Sequence, residues 1–263
     1  MTKSGISRVG MAALAAGYVF LYAPILCMVV YSFNDNRLAT VWGSFSFAAY
    51  GQLFADEQLR GAALLSLRIA LLSGAAATVL GTVAGFCLAR FRRLPTITLF
   101  AALVTSPMVM PEVIVAFSLL LLFLFVLRID LGFGAIWAGH ATLGMAYVAT
   151  LVRSRLLEMD LSLEEAALNL GARPVKVFFT ITLPIVAPTL VAGYLLSFTL
   201  SWDDVVLTSL LAGAGVNTLP TLVFSSVKFG ISPKIYALAT LIVCAVTAGV
   251  IASNRFMLRH ARP

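Results

Sequence analysis

Apolar runs long enough to cross a bilayer recur along this chain, and they leave it few folds. A helix needs about 20 apolar residues to span the hydrocarbon core. Runs of that order begin near Val9, Leu67, Thr96, Ala135, Val186 and Ile235. Composition removes the soluble alternative. Hydrophobic residues make up 61% of the chain and charged residues 11%, against roughly 25% charged in soluble domains. That is too little polarity to cover a water-facing surface. The expected fold class is an all-α integral membrane protein with six transmembrane helices.

Each run carries its own signals. Val9–Phe33 is longer than a signal-peptide core of about 7–15 residues and has no clean A-x-A site, so it reads as a retained span. The following segment, Asn34–Arg60, is polar, with Trp42 and Tyr50 as candidate interfacial anchors. Leu67–Ala89 is rich in small residues, including Ser73, Gly74, Gly81 and Gly85. Small residues let helix backbones approach in lipid, so this span is expected inside the bundle. Thr96–Leu127 is too long for one vertical span and too short for two. Pro107 and Pro111 interrupt it, so one kinked or broken helix is expected. Ala135–Val152, Val186–Leu211 and Ile235–Phe256 supply the remaining spans.

Charge gives the orientation. Of the 18 Lys and Arg residues, twelve fall on the side holding both termini, the Arg90–Arg93 loop and the segment after Val152. Six fall on the other side: Arg37, Arg60, Arg68, Arg128, Lys228 and Lys234. The positive-inside rule then puts both termini in the cytoplasm. Arg68 reads as interfacial, near a span end. The net charge of +7 is read the same way, as orientation and lipid contact. There is no G-x-x-x-x-G-K-[ST] phosphate loop and hence no obvious ATP site. Cys27, Cys87 and Cys244 lie in separate apolar runs without metal-ligand spacing and read as packing residues. His140 reads as a satisfied interhelical histidine and His260 as a solvated tail residue.

One stretch breaks the apolar pattern away from the termini: EAALNLGARPVKVFFTITLP, Glu165–Pro184. Ser162, with Glu165 three residues on, suggests a capping box opening a short helix, Leu163–Asn169. Gly171 sits where a helix takes a positive-φ residue to end, and Pro174 suits the first turn of the next helix, Val175–Leu183. The local expectation is helix, tight corner, helix, then a span.

This stretch resembles the EAA loop of permease subunits in ATP-driven ABC importers. The matching positions are Glu165-Ala166-Ala167, Gly171, Ile181 and Leu183-Pro184. The resemblance implies a type I ABC importer permease architecture, in which the short helix couples to a groove of a cytoplasmic ATPase subunit. It points to Glu165, Ala166, Ala167, Gly171 and Arg173 as the ATPase-coupling residues. On this reading residues 1–263 form a single transmembrane permease domain, with a cytoplasmic coupling loop at 158–184.

Glu112, Asp203 and Asp204 lie in or beside apolar runs. A carboxylate at mid-span costs about 2.5–3.5 kcal/mol on insertion scales, so it needs a partner or a water-filled cavity. The predicted spans supply few cations, and a cationic substrate is a natural partner. Glu112 also follows Pro111, where the dipole of a half-helix favours an anion. Asp203 and Asp204 point about 100° apart on a regular helix, so one of them is expected to face the pore squarely. Trp202 is a candidate cation–π wall. Glu158, Asp160 and Glu164 read as solvated charges.

Beyond the loop, the chain is similar end to end to permease subunits of bacterial polyamine importers, nearest the putrescine type. LYAPILCMVVYSFN (Leu21–Asn34), SPMVMPEVI (Ser106–Ile114), SFTLSWDDVV (Ser197–Val206) and NTLPTLVFSSVKFG (Asn217–Gly230) carry that resemblance. It implies a non-enzymatic subunit with no catalytic residues, metal site or cofactor of its own. ATP and Mg are expected in a pair of partner ATPase subunits. The other implied partners are a second permease subunit, different from this one, and a periplasmic binding protein. Asp203, Asp204, Glu112 and Trp202 are the substrate-pathway candidates. An ion-coupled carrier, the same machine with another cationic cargo, and a scaffold subunit without a pore remain open on the residues alone.

Overall fold

The computed structural model of the chain describes residues 8–36, 41–229 and 232–260. Lys3, Arg37 and Arg262, and the side chains of Arg8, Arg259 and His260, lie outside what is described. The described residues are helical, apart from loops and one isolated bridge between Asn34 and Phe45. Among the described residues, five helices are long and apolar enough to span a bilayer, and a bent helix pair taken as one span makes a sixth.

The chain forms two compact units. The first comprises residues 1–60 and 223–263. It holds α1 (Arg8–Tyr31), α2 (Ala48–Ala55) and α12 (Pro233–His260), with α12 packed on both others. The loop after α1 is organised by aromatic rings and one asparagine. Phe33 stacks on Phe45 and meets Phe47 and Tyr50. The Asn34 side chain donates to the Val41 carbonyl and accepts from the Gly43 N–H. Tyr50 is an internal strut, with its hydroxyl 2.8 Å from Ser32 Oγ. Trp42 is exposed and lies edge-on to Tyr31. Asp56, just past α2, accepts from Lys234 Nζ at 2.7 Å. That bond holds its carboxyl below the usual range.

The second unit, residues 61–222, is built around α6 (Phe133–Glu158), the most buried span among the described residues. α3 (Glu57–Arg90) lies against α6 through its small residues, as expected. A Cβ on Gly81 would come within 2.5 Å of Val148, and one on Gly85 within 2.7 Å of the Ala149 carbonyl. Side chains at either position would force the two helices apart. Arg68 lies within α3 and is exposed. Cys27 and Cys244 are also exposed, so they do not pack within the protein.

The third apolar run is broken. α4 (Ile97–Val109) and α5 (Glu112–Leu121) meet at 113°. Pro111 causes the break: it donates no hydrogen bond and pushes Met110 to extended backbone, φ −76° and ψ 145°. A π-helical segment, Leu122–Leu127, completes α5.

The fifth span departs from expectation in two ways. The helix that starts at Pro174 does not end before the span but runs into it. α8 (Pro174–Val177), a π-helical segment Phe178–Thr182 and α9 (Leu183–Trp202) form one continuous span. Pro184 falls inside this continuous span, where its missing N–H removes one backbone bond, and the π-helical segment lies directly before it. The span then stops at Trp202, and a short α10 (Val206–Leu211) follows a break at residues 203–205. The Asp204 carboxylate accepts the Leu207 and Thr208 N–H groups, first-turn donors of α10 that have no partner within the helix. α11 (Leu219–Phe229) lies in what reads as a loop.

Candidate functional site

The three intramembrane acids come together. A cavity of about 390 Å³ in the second unit is lined by Glu112, Asp203 and Asp204, with Tyr147, Met108 and Met110 among its apolar and aromatic walls. Its lining includes no Lys or Arg. The two helix breaks bring the acids there. The Pro111 break puts Glu112 in the first turn of α5, and the break at 203–205 places the two aspartates outside regular helix. The 100° separation expected on a continuous helix therefore does not apply, and both aspartates line the cavity.

Their environments differ. Asp203 is exposed and Asp204 is buried. Asp204 Oδ1 accepts the Thr208 N–H at 2.7 Å and lies 3.2 Å from His140 Nε2. Its other oxygen accepts the Leu207 N–H at 3.4 Å. The Glu112 carboxyl belongs to an exposed residue and lines the same cavity. Trp202 is not among the lining residues: it stacks on Phe198, which stacks on Tyr194 along α9.

Sequence reasoning missed the support behind Asp204. His140, Leu143 and Tyr147 occupy positions i, i+3 and i+7 on α6, one face of the helix. Leu143 and Tyr147 line the cavity, while His140 reaches Asp204 from behind. The histidine is satisfied between helices, as its apolar surroundings suggested. Its other nitrogen, Nδ1, lies 2.6 Å from Ser201 Oγ. The only trace in the sequence was this spacing, which an ordinary packed face shares.

The corner at residues 158–184 has the expected path. Gly171 has φ +84° and ends α7 (Ser162–Asn169). The Gly171 N–H bonds the Leu168 carbonyl, and the Ala172 N–H bonds the Ala167 carbonyl. This is the paired closure that a positive-φ residue allows. Pro174 opens α8. α7 buries no residue: Glu165 and Ala166 are exposed and Ala167 is half-buried, as Gly171 and Arg173 beyond it are exposed.

Two expectations fail here. Ser162 forms no capping box. It is the first residue of α7, and its N–H is taken by Asp160 Oδ1 at 2.9 Å. An aspartate two residues upstream satisfies that donor first. Glu164 is not solvated. Its Oε1 accepts from Arg90 at 2.7 Å and from Thr182 Oγ1 at 2.6 Å. It ties α7 to the end of α3 and to the π-helical segment before α9. Beside this anchor, Arg90, Arg92, Arg93 and Leu161 line a cavity of about 570 Å³.

Residues 77–262 match the family described as "Binding-protein-dependent transport system inner membrane component". The chain belongs to this family. The subunit is thus a multi-pass inner-membrane transport component. It is 50% identical over 238 residues to the putrescine transport system permease protein PotI of Escherichia coli K12, covering 89% of this chain and 85% of that one. It is 38% identical over 237 residues to the spermidine/putrescine permease protein PotC of Haemophilus influenzae, covering 90% and 91%. A bacterial ABC transporter that imports the acidic polysaccharide alginate shares the fold, with TM-score 0.70, 16% identity and coverage of 97% and 95%. The MetNI methionine transporter aligns with TM-score 0.63, 16% identity and coverage of 78% and 96%.

Proposed function

We propose that this chain is the permease subunit of an ATP-driven importer that carries polyamines, putrescine first among them, from periplasm to cytoplasm. The observation that carries the cationic cargo is the meeting of Glu112, Asp203 and Asp204 in one cavity without a lining Lys or Arg. An ammonium leaving water needs a compensating charge, and a diamine brings two. Asp203 and Glu112 are the free acids that meet the substrate. Asp204 sets the edge of the site, and Trp202 stiffens α9 behind it. The names of the relatives support the same cargo.

The coupling element is α7 and its corner. A short helix with nothing buried, two alanines and exposed Leu163 and Leu168 suits the groove of a cytoplasmic ATPase subunit. Glu165, Ala166, Ala167, Gly171 and Arg173 meet that partner, and Glu164 carries its motion to α3 and α9. ATP and Mg belong to the ATPase pair. A second, different permease subunit completes the pore, and a periplasmic binding protein delivers the substrate. The chain works as one permease domain with both termini cytoplasmic.

The test is uptake of labelled putrescine into proteoliposomes holding the assembled importer and its binding protein. Uptake is expected to require ATP and to persist with proton uncouplers. Uncoupler-sensitive, nucleotide-independent uptake would overturn the reading. A cytoplasmic reporter fused after Arg155 should be active; a periplasmic signal there would reverse the topology and remove the ATPase partner.

A further inference from the structure

We propose that His140 is the positioning residue of the cation cavity, holding the Asp204 carboxylate in place and setting the net charge the cavity offers. The inference rests on the reading of that cavity as the substrate path.

His140 is buried in the first half of α6 and does not itself line the cavity. Its two nitrogens face opposite neighbours. Nε2 lies 3.2 Å from Asp204 Oδ1 and 3.3 Å from Thr208 Oγ1, and Nδ1 lies 2.6 Å from Ser201 Oγ. Ser201 Oγ is in turn 3.0 Å from Ser73 Oγ, and Ser73 Oγ is 2.7 Å from the Ile69 carbonyl. The chain Asp204–His140–Ser201–Ser73–Ile69 therefore links α10, α6, α9 and α3 through buried polar atoms.

This chain holds the imidazole in either charge state. With neutral His140, the Nε2–H donates to the Asp204 carboxylate, and Nδ1 accepts the Ser201 hydroxyl proton. With the imidazolium, Nδ1–H donates to Ser201 Oγ, Ser201 donates to Ser73 Oγ, and Ser73 donates to the Ile69 carbonyl. Reversing two hydroxyls leaves no buried donor without an acceptor. A histidine kept only for packing has no use for a second satisfied state. Buried polar groups are costly when unpaired, and this network leaves no donor unpaired when the imidazole takes up a proton.

The consequence falls on the cavity. The titratable groups around His140 are Asp204 in direct contact, Glu112 on α5 and Asp203 in the same cavity, and Tyr147 on its own helix. The neighbouring contacts from α3 and α10 are hydroxyls, Ser73 and Thr208. An imidazolium offsets Asp204 and leaves the cavity one charge less negative, so it binds a cation less well. A neutral imidazole holds Asp204 in the same place without offsetting it. Protonation of the imidazole should therefore raise KM for the diamine. Protonation of the acids would act in the same direction. The histidine's share is the difference between wild type and a variant that cannot be charged.

The experiment measures KM and kcat for putrescine uptake by the reconstituted importer, with equal pH on both faces, at pH 8 and pH 6. Glutamine keeps a donor toward Asp204 but cannot be protonated. His140→Gln should show a KM within about twofold of wild type at pH 8, and its rise at pH 6 should be smaller by about threefold or more, the effect of one charge a few ångströms away under water-like screening. His140→Ala removes the donor and should raise KM about tenfold at both pH values, the loss of one hydrogen bond to a charged group. A wild-type KM in His140→Ala, or a wild-type pH profile in His140→Gln, overturns the proposal. If neither variant assembles with its partners, Ser201→Ala carries the test. It deprives the imidazolium of its acceptor and should flatten the profile; an unchanged profile restricts His140 to folding. Asp203→Asn separates the two levels of argument. If it leaves KM unchanged, the cavity is not the substrate path. If it raises KM while the His140 variants behave as wild type, only the role of His140 is lost.

Discussion

The corner at α7 and the acid cavity are opposite ways of building a functional surface. α7 buries none of its residues and is tied down through Glu164, to Arg90 and Thr182. The cavity's key acid, Asp204, is buried and held by His140 and by two backbone N–H groups. α7 is left bare and is held through the Glu164 ion pair and hydrogen bond. A charge that must sit inside a membrane is fixed from several sides, because each unpaired contact there is expensive. The alginate importer sharpens the contrast. It shares the fold while importing an acidic polysaccharide, so the fold alone does not choose the sign of the cargo.

The largest effects should come from the cavity. Asp203→Asn and Glu112→Gln should cut uptake per membrane-embedded molecule by about tenfold or more, since a hydrogen bond to a charged group is worth about 1.5–3 kcal/mol. Asp204→Asn should also lower the amount of assembled protein, because it disturbs the α9–α10 break. Equal loss of abundance in all three variants, with normalised uptake unchanged, would make the cavity acids structural and erase the contrast with α7.

At the corner, Gly171→Val should insert normally but couple poorly. A left-handed backbone costs a residue with a side chain about 1–2 kcal/mol, and a Cβ there meets no atom within 4 Å, so the penalty is backbone strain and not a clash. ATP-driven uptake should fall severalfold at unchanged membrane abundance. Normal transport by this variant would remove the corner from the coupling path.

Arg90→Glu or Glu164→Arg alone should weaken copurification of the ATPase subunit and lower uptake, and the exchanged pair should recover part of both. Removing one partner of a well-buried ion pair costs about 3–5 kcal/mol. Here both side chains keep some exposure, 16% and 15%, so the loss should fall below that range. No recovery in the exchanged pair would mean that Thr182, not Arg90, is the working partner.

The smallest effect belongs to the first unit. Asp56 is held below its ordinary carboxyl range mainly by Lys234. Such a group stabilises the fold above the unfolded carboxylate pKa, and the contribution is lost as pH falls through the folded value. Thermal unfolding in detergent should show Lys234→Gln slightly less stable than wild type at pH 7, by about 0.2–1 kcal/mol for a partly exposed pair, and equal to it at strongly acidic pH. An undiminished gap in acid would assign the difference to packing of the lysine stem.

The features readable in advance share a cause: they are local. Runs near 20 apolar residues, Gly171 before Pro174, and Pro107 with Pro111 in an overlong run each state their structure within a few residues. The break at 203–205 was missed, although an Asp pair in an apolar run marks a possible helix start as well as a pore charge. Glu164 looked solvated because its partners, Arg90 and Thr182, are 74 and 18 residues away. The partners of His140 were hidden because Ser201 and Asp204 lie 61 and 64 residues on.

By itself the sequence determined a helical membrane chain, the rough places of most of its spans, the glycine corner after α7 and three acids that need company in lipid. Solvation decides these features, because lipid rejects charge and unpaired backbone wherever the rest of the chain goes. Only the tertiary structure decided that the acids share one cavity, that Asp203 is free while Asp204 is held, and that a histidine stands behind them. Those facts depend on two helix breaks and on how α6, α9 and α10 pack. Such contacts join residues far apart in sequence, and no spacing rule encodes them.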